Sequence, residues 1–193
     1  MKLFVATANK EYLNKSISLT EYVINHFSDI SSAGFFYTSD KDEPLIARKK
    51  EWSDNVIPAS NSSMAKNLYY LGLIIGKEEW IEIAKNMLMC VKNEMLSYGP
   101  GYSNWSILHL HFTYGMKELV VSGNNQMSSV FKIKKLFIPD AFVLPGILSD
   151  EYAIFKNRFS SEEDVYYLCE NNSCRQISDN IEIVKTILMN NED

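Results

Sequence analysis

The stretch MAKNLYYLGLIIGKEEWIEIAKNMLMCVKNEM, residues 64–95, decides the fold of this 193-residue chain. Apolar side chains recur at helical spacing on both sides of Gly76. Before it stand Met64, Leu68, Leu71 and Ile75, and after it Trp80, Ala84, Met87, Leu88, Val91 and Met95. Gly76 ends the first of these helices, as a C-terminal glycine does. Since the turn is very short, the two helices are predicted to form an antiparallel hairpin.

The hairpin has a partial copy upstream. A helix is predicted by apolar residues on one face, at Leu13, Ile17, Thr20, Ile24 and Phe27. Tyr12 matches Trp80, 68 residues later, and Leu3-Phe4-Val5 matches Leu71-Gly72-Leu73. We therefore expect the chain to begin in the middle of a helical hairpin and to lack preceding neighbours, because repeat proteins bury their cores between adjacent repeats.

After Gly115 the sequence pattern changes from helical spacing to short strand-like apolar runs. A short helix is predicted over 105–114, followed by strands at 119–121 and 136–138 with a helix over 126–134 between them, which is a βαβ unit. Residues 165–168 form a further strand candidate, and Asp179 with Glu182 opens a last helix. The predicted organisation is therefore helical hairpins over 1–115, including a long loop 28–61, and a small α/β element with a C-terminal helix over 116–193.

Composition excludes several functional classes. The net charge is −5, and Lys and Arg are scattered, so no basic surface for nucleic acid is expected. The apolar runs are too short for a membrane span or a signal peptide. Three cysteines, an odd and low count, favour a reducing compartment, and we expect a cytoplasmic protein. No cofactor is expected.

The long loop carries the best candidates for a ligand pocket. Its polar side chains can hydrogen-bond a polyhydroxylated ligand or position a general acid or base. The candidate residues are Arg48, Glu51, Asp54 and Asn61, together with the aromatic residues Tyr102 and Trp105. In the competing interpretation, Ser60, Asn61 or Ser62 caps the helix of Met64 while Asp54 and Arg48 only tie down the loop. Glu51 and Asp54 also invite comparison with the carboxylate pairs of glycosidases, but their spacing does not establish the required separation.

Two other motifs remain open. Cys169 and Cys174 lack the second ligand pair that structural zinc requires, so no metal site is expected. They are either reduced structural cysteines or a redox pair, although the spacing is not Cys-x-x-Cys. The segment Ser122-Gly123-Asn124-Asn125, which follows a predicted strand, is either a simple turn or a phosphate cradle.

Several segments together resemble a known family. They are, in order, Gly34-Phe35-Phe36-Tyr37-Thr38-Ser39-Asp40, Arg48-Lys49-Lys50-Glu51, Asp54-Asn55-Val56-Ile57-Pro58-Ala59-Ser60-Asn61-Ser62, Ala65-x-Asn67-Leu68 and Tyr167-x-Cys169-Glu170-Asn171-x-x-Cys174. This order resembles the C-terminal part of thioredoxin-domain-containing proteins akin to spermatogenesis-associated protein 20. The resemblance implies an N-terminal thioredoxin-like domain followed by an (α/α)6 toroid similar to six-hairpin glycosidases and N-acylglucosamine 2-epimerases. It covers the last third of such a protein.

The resemblance and the residues together define the expected fold and function. We expect a mainly α fold, a partial (α/α)6 toroid with a small α/β element in the C-terminal third. The expected function is that of a C-terminal fragment which binds or acts on a sugar-like ligand, within carbohydrate metabolism, without being an autonomous enzyme. Its expected partners are the missing N-terminal hairpins and the thioredoxin-like domain. The alternatives are a non-catalytic protein-interaction module and a redox-linked protein that presents a client to the thioredoxin-like domain.

Overall fold

The computed structural model describes residues 1–43, 46–136, 138–149, 151–170 and 173–189, and for 170 and 173–177 it describes the backbone only. The chain is mainly helical and divides into two compact units. The helical unit is Leu13–Thr113, and the α/β unit combines Met1–Tyr12 with Tyr114–Asp193. The division after Thr113 lies beside the expected boundary at 115. The first twelve residues, however, group with the α/β unit and not with the hairpins.

The secondary structure elements follow one another in a simple order. The helices are α1 (Lys2–Thr7), α2 (Lys10–Phe27), α3 (Ser60–Ile75), α4 (Glu78–Cys90), α5 (Lys92–Ser97), α6 (Ser103–Tyr114), α7 (Gln126–Lys134) and α8 (Ile181–Met189). A 3₁₀ turn (Gly99–Tyr102) precedes α6. The strands are β1 (Lys117–Ser122), β2 (Ala141–Pro145), β3 (Val165–Glu170) and β4 (Ser173–Ser178). None of the described helices combines the length and the apolarity that a membrane span requires.

The predicted hairpin of α3 and α4 is confirmed. Only Gly76 and Lys77 separate the two helices, which pack against each other. Gly76 adopts the left-handed conformation with φ of 71°, and its N–H bonds to the Gly72 carbonyl. A Cβ at Gly72 would lie 2.7 Å from Ile81 Cγ1, so this glycine permits the close approach of α4.

The internal repeat is also visible in the backbone. Ala8 adopts the left-handed conformation with φ of 56°, and its N–H bonds to the Phe4 carbonyl. Gly76 does the same 68 residues later. The helices that follow begin at Lys10 and Glu78, again 68 residues apart. Both copies therefore end one helix and begin the next with the same local geometry.

A four-stranded mixed sheet organises the α/β unit. Its strand order is β2-β1-β3-β4, with β1 parallel to β2 and antiparallel to β3, and β3 antiparallel to β4. The parallel pair with α7 between its strands confirms the predicted βαβ unit. One face of the sheet packs against α7 and α8 through Leu119, Val121, Val130, Ile133, Val143, Tyr166, Leu168, Val184 and Leu188. Val120 and Leu144 lie on the opposite face and are fully buried.

Four predicted boundaries are wrong. The second parallel strand is Ala141–Pro145 and not 136–138. The helix predicted through Met95 ends at Cys90, because Val91 leaves the helical conformation with φ of −106° and ψ of 5° before α5 begins. The apolar, aromatic run Phe35-Phe36-Tyr37-Thr38 is typical of a strand, but in the structure Phe35 forms an isolated bridge with Ser28 and the run is not a strand. The last helix is capped by Asn180, whose side-chain oxygen accepts from the Glu182 N–H at 2.9 Å, and not by Asp179.

Candidate functional site

The loop between α2 and α3 is held in place by one buried amide. Asn61 is fully buried in the first turn of α3. Its Oδ1 accepts from the Phe35 N–H at 2.7 Å, and its Nδ2 donates to the Phe35 and Glu51 carbonyls at 2.9 Å each. Because the carbonyl and the amino group of this side chain both bond to loop backbone, Asn61 stabilises the loop conformation and does not contact a ligand directly.

Two basic side chains tie down the first half of the loop. The Arg48 guanidinium lies 4.2 Å from the centre of the Phe36 ring and donates to the Thr38 carbonyl. Lys50 Nζ pairs with Asp29 at 2.6 Å and donates to the Ala33 carbonyl at 2.8 Å. Hydrogen bonds from Lys50 and Ser31 hold the pKa of Asp29 well below its ordinary value. Arg48 therefore has the tying role that the competing interpretation gave it.

Asp54 joins the starts of two helices. Its Oδ1 accepts from the Ala59 N–H at 2.9 Å and from the Ser62 hydroxyl at 2.7 Å, and its Oδ2 accepts from the Asn104 N–H at 2.9 Å. Burial alone would raise the pKa of Asp54, but the hydrogen bonds from Ser62, Ala59 and Asn104 hold it below its ordinary value. A low pKa is the opposite of what a general acid needs at neutral pH.

The cap of α3 comes from the loop acids. Glu51 Oε2 accepts from the Ser60 N–H at 3.0 Å, while the N-cap residue Ala59 makes no side-chain cap. The N–H groups at this helix start are thus paired, but their acceptors are Glu51 and Asp54 and not Ser60, Asn61 or Ser62, so the cap assigned by the competing interpretation is wrong. Ser62 donates to Asp54 and to the Ala59 carbonyl.

Trp52 forms the aromatic wall of the loop. Its backbone carbonyl accepts from Nε1 of Trp105, at 2.8 Å, and the two indole rings lie 5.8 Å apart. Trp105 is fully buried, whereas Trp52 is half-buried. A Cβ at Gly34, where φ is +90°, would lie 2.5 Å from the Trp52 ring, so this glycine lets the indole approach the backbone closely.

Two neighbouring clefts, which share Ser53, lie beside this part of the loop. The first, which we call the Trp52 cleft, has a volume of about 590 Å³ and is lined by Tyr37, Thr38, Ala47, Lys49, Lys50, Glu51, Trp52 and Ser53. The second, the Tyr102 cleft, has a volume of about 420 Å³ and is lined by Ser53, Asp54, Asn55, Glu94, Ser97, Tyr98 and Tyr102.

The six predicted pocket residues are therefore not brought together. Glu51 lines the Trp52 cleft, and Asp54 and Tyr102 line the other cleft. Asn61 and Trp105 are buried supports beneath the loop. Sequence reasoning missed Tyr37, Lys49 and Trp52, although aromatic side chains inside a long polar loop were a usable signal.

The turn after β1 is filled by an internal carboxylate. Asp164 accepts from the Asn125 N–H at 2.9 Å and from the Ser129 hydroxyl at 2.6 Å, so it occupies the start of α7. A Cβ at Gly123 would lie 2.5 Å from Asp164, which explains the glycine. The turn interpretation of this segment agrees with these contacts.

The expectation of reduced cysteines is wrong for Cys169. This residue is disulfide-bonded, whereas Cys90 is a free, exposed thiol. Cys174 stands directly opposite Cys169 in the β3–β4 ladder, and its side chain lies outside the described part of the structure. The error arose because composition was used to infer the compartment, while strand register decides which cysteines are close enough to join.

No metal site is evident in the described part of the chain, where no three His, Cys, Asp or Glu side chains are grouped to hold an ion. Comparison with known proteins adds no identity: no protein-family model, no curated protein and no solved structure matches this chain.

Proposed function

We propose that this chain binds a small, sugar-like ligand in the Trp52 cleft. The supporting observation is the composition of the cleft wall, where Trp52 and Tyr37 present aromatic surface next to several polar side chains. Its volume of about 590 Å³ lies in the range typical of small-molecule sites. Such a mixture suits a ring that is apolar on its faces and polar at its edge.

The polar groups of the cleft favour a hydroxylated ligand. Lys49 supplies three donors, and Thr38 and Ser53 supply hydroxyls that both donate and accept. Glu51 uses Oε2 for the Ser60 N–H and retains acceptor capacity on Oε1. Donors and acceptors of both kinds around one aromatic wall match the alternating demands of neighbouring hydroxyl groups.

The cleft is preorganised, which supports binding over a purely structural role. The Tyr37 N–H bonds to the Lys49 carbonyl at 2.8 Å, which fixes one side of the cleft to the other. Trp52 is anchored through its carbonyl to Trp105 and through its ring to Gly34. A wall that is rigid before binding loses little conformational entropy on binding.

The larger architecture is part of the proposal. The α3–α4 hairpin and the 68-residue repeat are consistent with the last hairpins of an (α/α)6 toroid, completed by further hairpins and a thioredoxin-like domain in a cytoplasmic protein. The chain would then contribute a ligand-binding loop to that assembly and would not catalyse a reaction alone.

The experiment is a titration of the purified chain with a panel of monosaccharides and disaccharides, in which binding is measured by calorimetry and by tryptophan fluorescence. Tyr37→Ala should weaken binding about tenfold, because it removes part of the aromatic wall of the cleft. It should leave the fold intact, because the side chain is 68% exposed and supports no core. Tyr98→Ala is the matched control, because Tyr98 is 63% exposed but lines the Tyr102 cleft. Absence of saturable binding, or an equal loss in both variants, would refute the proposal.

A protein-interaction module is the second candidate. Three apolar side chains of the same loop are almost fully solvated: Ile46, Val56 and Ile57 are 110%, 96% and 70% exposed. Exposed apolar residues in one segment are typical of protein-binding surfaces. Pull-down of a protein partner that is lost with Val56→Ser and Ile57→Ser, together with intact Tyr37→Ala binding to that partner, would favour this candidate.

A further inference from the structure

The charged residues of the Trp52 cleft differ in how far the protein itself compensates their charges. Three of the residues that line the cleft are charged, namely Lys49, Lys50 and Glu51. The hydrogen bonds and ion pairs of the loop show which of these charges is used within the protein and which is left for a ligand.

Lys50 uses its charge inside the protein. Its Nζ lies 2.6 Å from Asp29 Oδ2, and the two side chains are only 13% and 12% exposed. The same ammonium group donates to Ser32 Oγ at 2.6 Å and to the Ala33 carbonyl at 2.8 Å. Because an ammonium group has three N–H donors, Lys50 keeps none for a ligand.

Glu51 is partly compensated by the start of α3. Its Oε2 accepts from the Ser60 N–H at 3.0 Å, and Ser60 is the first residue of that helix. The N-terminus of a helix carries the positive end of the helix dipole, which offsets part of the carboxylate charge. The second oxygen retains its capacity to accept, so Glu51 suits the hydroxyl groups of a sugar.

Lys49 has neither kind of compensation. Among the residues that the structure describes, no carboxylate oxygen lies within 4.0 Å of its Nζ, and its ammonium group makes no hydrogen bond. Its backbone is nevertheless fixed, because its carbonyl accepts from the Tyr37 N–H at 2.8 Å. An exposed ammonium group on a fixed backbone, beside an aromatic wall, is available to an anion.

A second cation lies next to the cleft without a carboxylate partner in the described part of the chain. The Arg48 guanidinium donates to the carbonyl of Thr38, which lines the cleft. The nearby acids are engaged elsewhere, since Asp40 Oδ1 lies 2.8 Å from His26 Nδ1 and Asp42 accepts from a backbone N–H. Neither acid is among the described residues that line the cleft. The charges closest to the ligand therefore favour an anion.

We propose that the ligand of the Trp52 cleft is an anionic sugar. Its carboxylate or phosphate group pairs with Lys49, its hydroxyl groups bond to Glu51, and its ring lies against the aromatic wall. This inference rests on the proposed function and adds the charge of the ligand to it. An ion pair in a solvent-accessible cleft contributes a modest factor to affinity, so the expected effect is selectivity for anionic over neutral sugars.

The test is a calorimetric titration of the full chain with glucose, galactose and mannose, each as the neutral sugar, the uronate and the 6-phosphate. These compounds share a ring within each series and differ at carbon 6. At about 0.02 M salt we expect an anionic member to bind about fivefold more tightly than its neutral counterpart. The tighter anion shows whether a carboxylate or a phosphate is preferred. At about 1 M salt the preference should disappear, because screening weakens exposed charge pairs.

Three variants assign the preference to one side chain. Lys49→Gln should remove it, and Lys49→Arg should keep it, because the charge is retained. Lys41→Gln is the matched control and should keep it, since Lys41 is an exposed lysine of the same loop but is not among the described residues of the cleft.

The outcomes separate this inference from the proposed function. If anionic and neutral sugars bind equally well, or if Lys49→Gln keeps the preference, the assignment of charge is wrong while the sugar site stands. If no sugar of any series binds, the proposed function and this inference are both wrong.

Discussion

At the scale of single residues, Asp54 shows how one carboxylate can organise a site without taking part in chemistry. It receives three hydrogen bonds that connect the starts of α3 and α6. Helix starts carry unpaired N–H groups, and a shared acceptor satisfies them while fixing the distance between two helices. The same residue lines the Tyr102 cleft, so its position and its role there have one structural cause.

We expect Asp54→Ala to lower the free energy of unfolding by about 2 kcal/mol, because it removes acceptors for two helix starts. Asp42→Ala is the control, since among the described residues that carboxylate accepts from the Ser39 N–H and joins no helix starts. Urea denaturation measures both. Because the folded pKa of Asp54 lies below 3.8, its contribution is present above that pH and lost as the pH falls through the lowered pKa. A parent–variant difference that does not decrease at all as the pH falls below 3.8 would contradict this account.

The pKa of Glu118 is shifted in the opposite direction to that of Asp54. Its folded pKa is raised from 4.5 to about 7, so the ionised form destabilises the fold increasingly between these values and by a constant amount above them. We expect Glu118→Gln to be more stable than the parent by roughly 3 kcal/mol at pH 8 and to match it at pH 4. Thermal unfolding with the disulfide intact measures the difference. Equal stability of the two proteins at pH 8 would show that the carboxylate is well solvated.

At the scale of secondary structure elements, the repeat contains one unfavourable substitution. Ala8 occupies the left-handed position that Gly76 fills in the other copy. A Cβ in that conformation costs on the order of 1 kcal/mol. Ala8→Gly should therefore raise the free energy of unfolding by about 0.5–1 kcal/mol.

Ala6→Gly is the matched control, because the same change two residues earlier falls inside α1 and should destabilise by about 1 kcal/mol. Chemical denaturation of both variants gives the two signs. Destabilisation by Ala8→Gly would mean that Ala8 does not adopt the left-handed conformation between α1 and α2.

Helical spacing predicted the helices well and the strands less well. The apolar faces of α2, α3 and α4 repeat at helical spacing, and the positions of these helices are confirmed except that α4 ends at Cys90 and not at Met95. The second parallel strand was misplaced because two short apolar runs flank Pro139 and periodicity cannot choose between them. Pairing with β1 decides the choice, since Leu119 is opposite Val143.

The site was harder to predict for a similar reason. Loop polar residues are equally suited to ligands and to backbone hydrogen bonds, and only the fold shows that Asn61 and Asp54 serve the backbone. The cleft residues Tyr37 and Lys49 come together through a backbone bond between positions that no local pattern connects. The cysteine state depended in the same way on cross-strand register.

At the scale of the whole molecule, the α/β unit is discontinuous in sequence. Phe4 and Val5 of α1 are buried, α1 packs against β2, and the rings of Phe4 and Phe155 meet edge to face at 5.9 Å. Lys10 and Glu151 add an exposed ion pair at 2.8 Å, which contributes little by itself. The sheet thus depends on residues more than a hundred positions away.

We expect a fragment of residues 114–193 to fold poorly, because each large buried side chain that it lacks accounts for roughly 1.5–3 kcal/mol. A single chain in which residues 1–12 are joined to 114–193 by a Gly-Ser linker should unfold cooperatively. Circular dichroism during thermal unfolding compares the two. If the fragment alone unfolds at the same temperature as the linked chain, α1 is not part of that core.

The bond between Asn61 and Phe35 also has a consequence for exchange with solvent. The Phe35 N–H donates to a buried side chain 26 residues along the chain. Its deuterium uptake should therefore be slow in an otherwise fast-exchanging segment, with a protection factor set by the opening of the loop alone and not by global unfolding. This single amide is a reporter of loop detachment, and its uptake would slow further when a ligand holds the loop closed.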